Sequence, residues 1–462
     1  MNSAYGGATV LEAPNAPSSI PLMEMAMGLV LVVIGIKMQA GEGASPLRTL
    51  LLFGLCAIIT AYGFFRDPYA PLYCCVFIAP ISKAFGTSFA LMIGGALLVS
   101  LRRGICRWKW QFSLPGLAYC LWCLASLLWA GEVFTELDSW IAQALGPMLL
   151  AFLIAGLRDS AFRRNLMLMV VVACCFGTIF SFRNWHAGIG EMGSGGRFYS
   201  LTRPDTFSAW LLFGIFGAIA WLLDGGAPKW LRWFLLSSIP WQVCGLGLCG
   251  FRAAILAAGL GVIMVCLCLK HPLKMLGLVS LAALPVVGVT LLVPNLFNTV
   301  LARFGTIEAD RGSARLDIWE GALKMFWDRP LAGYGLDNFK IISGRFYSRA
   351  MLPHSIYVGT LVELGVIGAV LLLLWLVTLL RKASRTPERV WVLPLITAYI
   401  FQAMFLHEFY FSCFWIAIAL VEGSPQAVAR VRSGTRRWLE PGRESVMEPI
   451  PRFKVRASQA FE

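Results

Sequence analysis

Charge is what this 462-residue chain has least of. Asp, Glu, Lys and Arg together make 14% of it, against about 25% in an average soluble domain. Apolar residues make 58%, and the mean hydropathy is +0.71. Such a chain cannot cover a water-facing surface, which excludes the two or three soluble domains its length would otherwise suggest. Acids are scarcer than bases, at 25 Asp and Glu against 39 Lys and Arg, for a net charge of +14. No D-x-D is present; Glu308-Ala-Asp310 is the nearest approach, so no acidic pair of that kind offers itself to a metal. No G-K-[ST] follows the glycine-rich stretch near 190, which excludes a Walker A loop. The first nineteen residues lack the charged, apolar and cleavage-site order of a secretory signal and read as a cytoplasmic leader before an uncleaved span. Cysteine is not scarce, but its thirteen copies fall almost all inside apolar runs. Cys120 and Cys123 form a C-x-x-C with no second pair or histidine nearby, so they read as small buried hydrophobes, with no metal and no cofactor implied.

What is there is a series of apolar runs near the 20 or so residues that a transmembrane helix needs. Candidate spans lie near 22–38, 47–64, 69–84, 86–101, 114–131, 138–157, 165–183, 205–223, 233–250, 253–269, 275–293, 354–380, 390–407 and 409–421. The fold class expected is all-α, a polytopic membrane bundle of about 10–14 transmembrane helices, with one large external loop, 294–353, containing an amphipathic helix. Most of the 39 Lys and Arg fall in one set of alternate connections, around Arg66, Arg102, Arg158, Arg163, Lys229, Lys270 and Arg381, and in the tail beyond 421. By the positive-inside rule that set is cytoplasmic, with both termini inside. Residues 1–421 then form the transmembrane domain, and 422–462 a basic cytoplasmic tail lying against anionic lipid. The excess of positive charge thus sets topology and does not point to nucleic acid.

On the external side three features stand out. Segment 184–204, NWHAGIGEMGSGGRFYSLTRP, holds five glycines followed by Arg197 and Arg203; glycine lets backbone amides approach an anion closely. Arg252 lies between two apolar stretches at the mouth of a tight hairpin, where it either snorkels or faces a site within the bundle. Loop 294–353 carries SARLDIWEGALKMFWDRP, in which Ile318, Trp319, Ala322, Leu323, Phe326 and Trp327 recur at helical spacing. That spacing predicts a helix stopping before Pro330 and lying apolar face down along the interface. Gly333 and Gly335 mark turns beyond it, and His354 opens the next span. Of the other histidines, His186 falls in the glycine-rich segment, His271 on the cytoplasmic side, and His407 beside Glu408 in a short external turn. The external face therefore offers Arg197, Arg203, Arg252, Arg303, Arg311 and Arg315 around one well-placed base. Fixed cations plus one titratable base suit a substrate with a phosphate-bearing leaving group and a proton to remove, because arginine grips pyrophosphate bidentately without a metal. Neighbouring positive charge also favours a neutral imidazole.

The run RLDIWEGALKMFWDRPLAGYGLDNF, followed by PHSIYVGTLVELGVIGA, resembles the bacterial O-antigen ligase/polymerase superfamily, whose members show an Arg, a Trp, "P-x-x-G-x-G…F" and then "H-[NS]-x-[YF]-L…E-x-G-x-x-G". The resemblance is specific over 311–372 and weaker over 197–262, where GRFYSLTRPDTFSAWLL and GFRAAILA correspond. It implies a membrane glycosyltransferase of the bacterial inner membrane. Such an enzyme moves a glycan from undecaprenyl pyrophosphate to an acceptor hydroxyl, with inversion, on the periplasmic face. The acceptor would be lipid A–core in a ligase and another lipid-linked repeat in a polymerase. Carried over by position, His354 would be the base, and Arg197, Arg252, Arg315, Arg203 and Arg311 would bind the pyrophosphate. Tyr357 and Glu363 would be supporting residues, with Glu363 about 13.5 Å along the helix from His354, better suited to anchoring a neighbour than to catalysis. Departures from the family pattern are Ser355, Asp205 and Phe251, where Asn, Asn and Ser are commoner. One large external loop with a short arginine loop favours the ligase.

Two readings of other classes remain at this point. A flippase for lipid-linked sugars would place ionisable groups at mid-span, where the chain has essentially Glu24 and Glu363. A cysteine transpeptidase would use Cys249, three residues before Arg252, as a thiolate.

Overall fold

A computed structural model describes residues 21–39, 46–80, 86–104, 112–130, 145–157, 160–189, 197–198, 200, 202–269, 315–347, 352–406 and 411–424, with a few isolated positions between 273 and 305. The expected span at 275–293, the glycines from 190 to 196, Arg303, Arg311, His271, His407 and the basic tail lie outside the described residues. Residues 1–426 form one unit and 427–462 another.

Among the described residues the chain is all helical, as the composition demands of a membrane bundle. A first group comprises α1 (Leu22–Gln39), α2 (Pro46–Phe65), α3 (Ala70–Ile78) and α4 (Gly86–Arg103), with α3 also touching the long α7. Next come α5 (Leu114–Ala125), closed by a 3-10 turn at Ser126–Leu128, and α6 (Gly146–Gly156). The central layer is α7 (Ser160–His186), α8 (Pro204–Asp224) and α9 (Lys229–Cys249), which pack on one another. Then follow α10 (Arg252–Cys268), α11 (Arg315–Asp328), the short α12 (Phe339–Ser343), α13 (Ile356–Arg385), α14 (Arg389–Gln402) and α15 (Ser412–Glu422). Helix α14 packs against α8, α10 and α13, which brings the start of α13 into the bundle.

Three of these helices, α7, α8 and α13, are long and apolar enough to cross a membrane, and shorter apolar helices fill the rest of the bundle. Helix α7 is longer than its expected span: Arg163 and Arg164, read as loop charges, lie in its first turns, and His186, read as a loop residue, is its exposed last one. Likewise α15 runs on through Glu422, which is buried, because several donors meet its carboxylate there.

Helix α11 stops at Asp328, two residues before Pro330. Its buried side is Ile318, Gly321, Ala322 and Met325, packed with Tyr334, Phe339, Ile342 and Val362 onto the first half of α13. Leu323 and Trp327, expected on the same apolar face, are exposed with Leu316. At 100° per residue these three share a second line on the helix, away from Met325.

The first half of α13 is bound to the chain that follows α11. At Gly365 the helix breaks, with φ 68° and ψ −169°. The segment 330–336 supplies the partners that the break leaves without an intrahelical bond. Val366 N donates to Pro330 O at 2.8 Å, Tyr334 N to Val362 O at 3.2 Å and Gly335 N to Glu363 O at 2.7 Å. A Cβ on Gly365 would enter the backbone of Leu331, and one on Gly333 the backbone of Glu363, so the two strands of chain approach as closely as they do because neither position carries a side chain.

A cation-lined candidate active site at the start of α13

Glu363 serves this interlock. It is buried, and its Oε1 accepts from Phe339 N at 3.1 Å at the start of α12. It thus belongs to the joint between α13 and the segment after α11, at a distance from the chemistry-bearing end of the helix.

That end begins at His354. Pro353 and the serine N-cap at Ser355, whose Oγ accepts from Val358 N at 3.4 Å, set the helix start. His354 itself has φ +48°, an uncommon conformation for a residue with a Cβ. It is held on both sides. Trp319 Nε1 of α11 donates to Pro353 O at 3.1 Å, and Ile356 N donates to Ala403 O at 2.9 Å just beyond α14. Tyr357 contributes to the same anchoring, for its hydroxyl donates to Ile400 O at 2.8 Å.

Two further loops and the first residue of α11 reach this end. Between α7 and α8, Phe198 N donates to Leu248 O at 3.0 Å and Ser200 Oγ to Gly177 O at 2.8 Å, pinning the segment that carries Arg197. Between α9 and α10, the turn at Gly250 delivers Phe251 as the N-cap of α10 and Arg252 as its first residue. Phe251 is buried and sits between two arginines: the guanidinium carbons of Arg197 and Arg315 each lie 5.8 Å from its ring centre. Arg315, first residue of α11, also lies 5.9 Å from the ring of Phe405. Aromatic faces of this kind hold a guanidinium without consuming its charge. Arg203 precedes α8 and pairs with Asp205 at 3.6 Å, with Arg203 half exposed.

The electrostatics of His354 follow from this company. Its pKa is lowered from the ordinary 6.5, first by burial and then by the Arg315 guanidinium, with Arg203 and Arg197 acting in the same direction and Asp205 opposing them. The imidazole is thereby kept neutral and able to accept a proton. Of the six residues expected at the site's core, the structure brings Arg197, Arg203, Arg315 and His354 into one electrostatic neighbourhood. Arg252 lies at the adjoining helix start, half-buried, and Arg311 lies outside the described residues.

Sequence reasoning did not single out Phe251 and Phe405 as guanidinium seats, nor Trp319 as the donor to Pro353. Trp319 was legible as one more apolar residue of α11; the available signal was its place four residues after Arg315, on the same helix face. Cys249 is fully buried at the end of α9, where a thiolate nucleophile would have to form out of contact with water. Among the described residues no group of three His, Cys, Asp or Glu is arranged to hold a metal ion.

The fold and this end together define a helical membrane protein with an arginine-lined site around a histidine. A family model described as O-antigen ligase matches residues 234–373, the stretch that contains Arg252, Arg315, Trp319, His354, Tyr357 and Glu363. Over this stretch the chain is similar to the O-antigen ligase family, which supports the resemblance read from its residues. That similarity supports a membrane enzyme of glycosyltransferase type, with a lipid-linked glycan and an acceptor as its substrates in general. No curated protein matches the chain.

Proposed function

We propose that the protein transfers a glycan from undecaprenyl pyrophosphate to an acceptor hydroxyl on the periplasmic face of the inner membrane, as an O-antigen ligase with lipid A–core as acceptor. The observation that carries this reading is the charge around His354: three arginines against one carboxylate. Such an excess of fixed positive charge favours a dianionic leaving group. Arg197, Arg315 and Arg252 would grip the pyrophosphate, with Arg203 contributing from the rim and Arg311 assigned to the same role by the family resemblance alone. His354, neutral, would take the proton of the acceptor hydroxyl as its oxygen attacks the anomeric carbon. The C–O bond to the pyrophosphate breaks as the new glycosidic bond forms, with inversion and without a metal. The departing negative charge is then stabilised by the guanidinium groups. The orientation follows the distribution of Lys and Arg, which leaves both termini cytoplasmic.

The test is transfer by the purified protein in liposomes. With an undecaprenyl-pyrophosphate-linked glycan as donor, product is expected on lipid A–core. Product formed solely on a second lipid-linked repeat would replace the ligase by a polymerase. Movement of the labelled donor across the bilayer without any transfer would replace it by a transporter.

A further inference from the structure

The indole of Trp319 touches the backbone of the candidate base. Its N–H donates to the carbonyl of Pro353 at 3.1 Å, and that carbonyl belongs to the peptide unit whose nitrogen is His354 N. The same indole stands one helical turn after Arg315, so the two side chains share a face of α11. This hydrogen bond therefore joins the helix that carries the arginine to the peptide that carries the histidine. The first turn of α11 is also held by Tyr347, whose hydroxyl donates to Ile318 O, and the chain beyond its far end by the interlock at Gly365.

We propose that Trp319 is a positioning residue that fixes the separation of the Arg315 guanidinium and the His354 imidazole through its bond to Pro353. The inference rests on the transferase reading for its consequence in catalysis, and on geometry alone for its consequence at His354. The charged groups acting on that imidazole are Arg315, Arg203, Arg197 and Asp205. Arg315 is the foremost of these, so letting α11 drift raises the pH at which His354 takes up a proton.

The variant Trp319→Phe keeps a ring and removes the donor. The rate at which diethyl pyrocarbonate modifies His354, followed by mass spectrometry against pH, reads the neutral imidazole with no reference to transfer. The midpoint is expected to move up in Trp319→Phe, and kcat per folded molecule to fall about tenfold, as for a misplaced catalytic group, with the donor KM changed less. A midpoint and kcat both equal to wild type would overturn the proposal, whatever the loss of stability. Should Trp319→Phe not accumulate, Trp319→His, which retains a ring N–H, is expected to keep the wild-type midpoint; a displaced midpoint there would overturn it equally. A wild-type protein inactive as a transferase, with the midpoint still displaced in Trp319→Phe, would refute the transferase reading and leave the positioning role standing.

Discussion

Arg163 and Arg315 both stand in the first turn or two of a helix, and their surroundings differ completely. Arg163 is 3% exposed, and one amino nitrogen of its guanidinium meets three acceptors. The Glu388 carboxylate lies at 2.6 Å, the Leu420 carbonyl at 2.9 Å and the Ser424 hydroxyl at 2.9 Å. Nearby, Glu422 receives the Ser113 hydroxyl at 2.6 Å, the Trp375 indole at 2.8 Å and the ammonium of Lys382. This end of the bundle closes its charges into pairs and ties α5, α7, α13, α14 and α15 together. Arg315, by contrast, rests against the rings of Phe251 and Phe405, in a neighbourhood where three arginines outweigh one carboxylate around His354. A cation answered by acids holds a fold together, whereas cations gathered around a base are what the proposed transfer from a pyrophosphate would use.

The largest effect expected on the paired end is on stability. Replacing Arg163 by Met leaves the Glu388 carboxylate, already pushed up by burial, without the guanidinium that offsets it. The loss should be about 3 kcal/mol, read from unfolding in mixed detergent micelles, with turnover per folded molecule unchanged. An equal loss from Arg315→Gln would erase the distinction between the two ends.

On the unbalanced end the effect should fall on the ligand instead. Arg315→Gln is expected to weaken donor binding by about 2 kcal/mol, or roughly 30-fold in Kd, with little change in unfolding. A smaller effect sharpens the same contrast through pH. The base must be neutral, and its pKa is lowered, so the acid limb of kcat/KM should lie below 6.5 in the wild type. Removing the opposing carboxylate in Asp205→Asn should move that limb further down. Arg315→Gln should move it up. Shifts of the same sign in both variants would contradict the electrostatic account.

Much of this was legible in the residues. Apolar runs gave the all-helical bundle, Pro330 gave the end of α11, and the position of His354 ahead of an apolar run gave the helix start it occupies. The joint between 330–336 and Gly365 was not legible, because it consists of backbone bonds between segments about thirty residues apart, made possible by two missing side chains. The roles of Arg163 and Glu422 were hidden for a different reason. Charges near helix ends read as topology signals in a sequence, and burial becomes visible when helices from across the chain converge on them. Leu323 and Trp327 show the limit of periodicity, since apolar residues cover more of α11 than its one packed face.

The most direct test of the account is the His354→Ala protein in liposomes, supplied with the undecaprenyl-pyrophosphate-linked glycan and acceptor. With the arginines in place and the base removed, the account predicts donor bound at close to wild-type affinity and transfer lowered by at least about 100-fold. Transfer at the wild-type rate would contradict it.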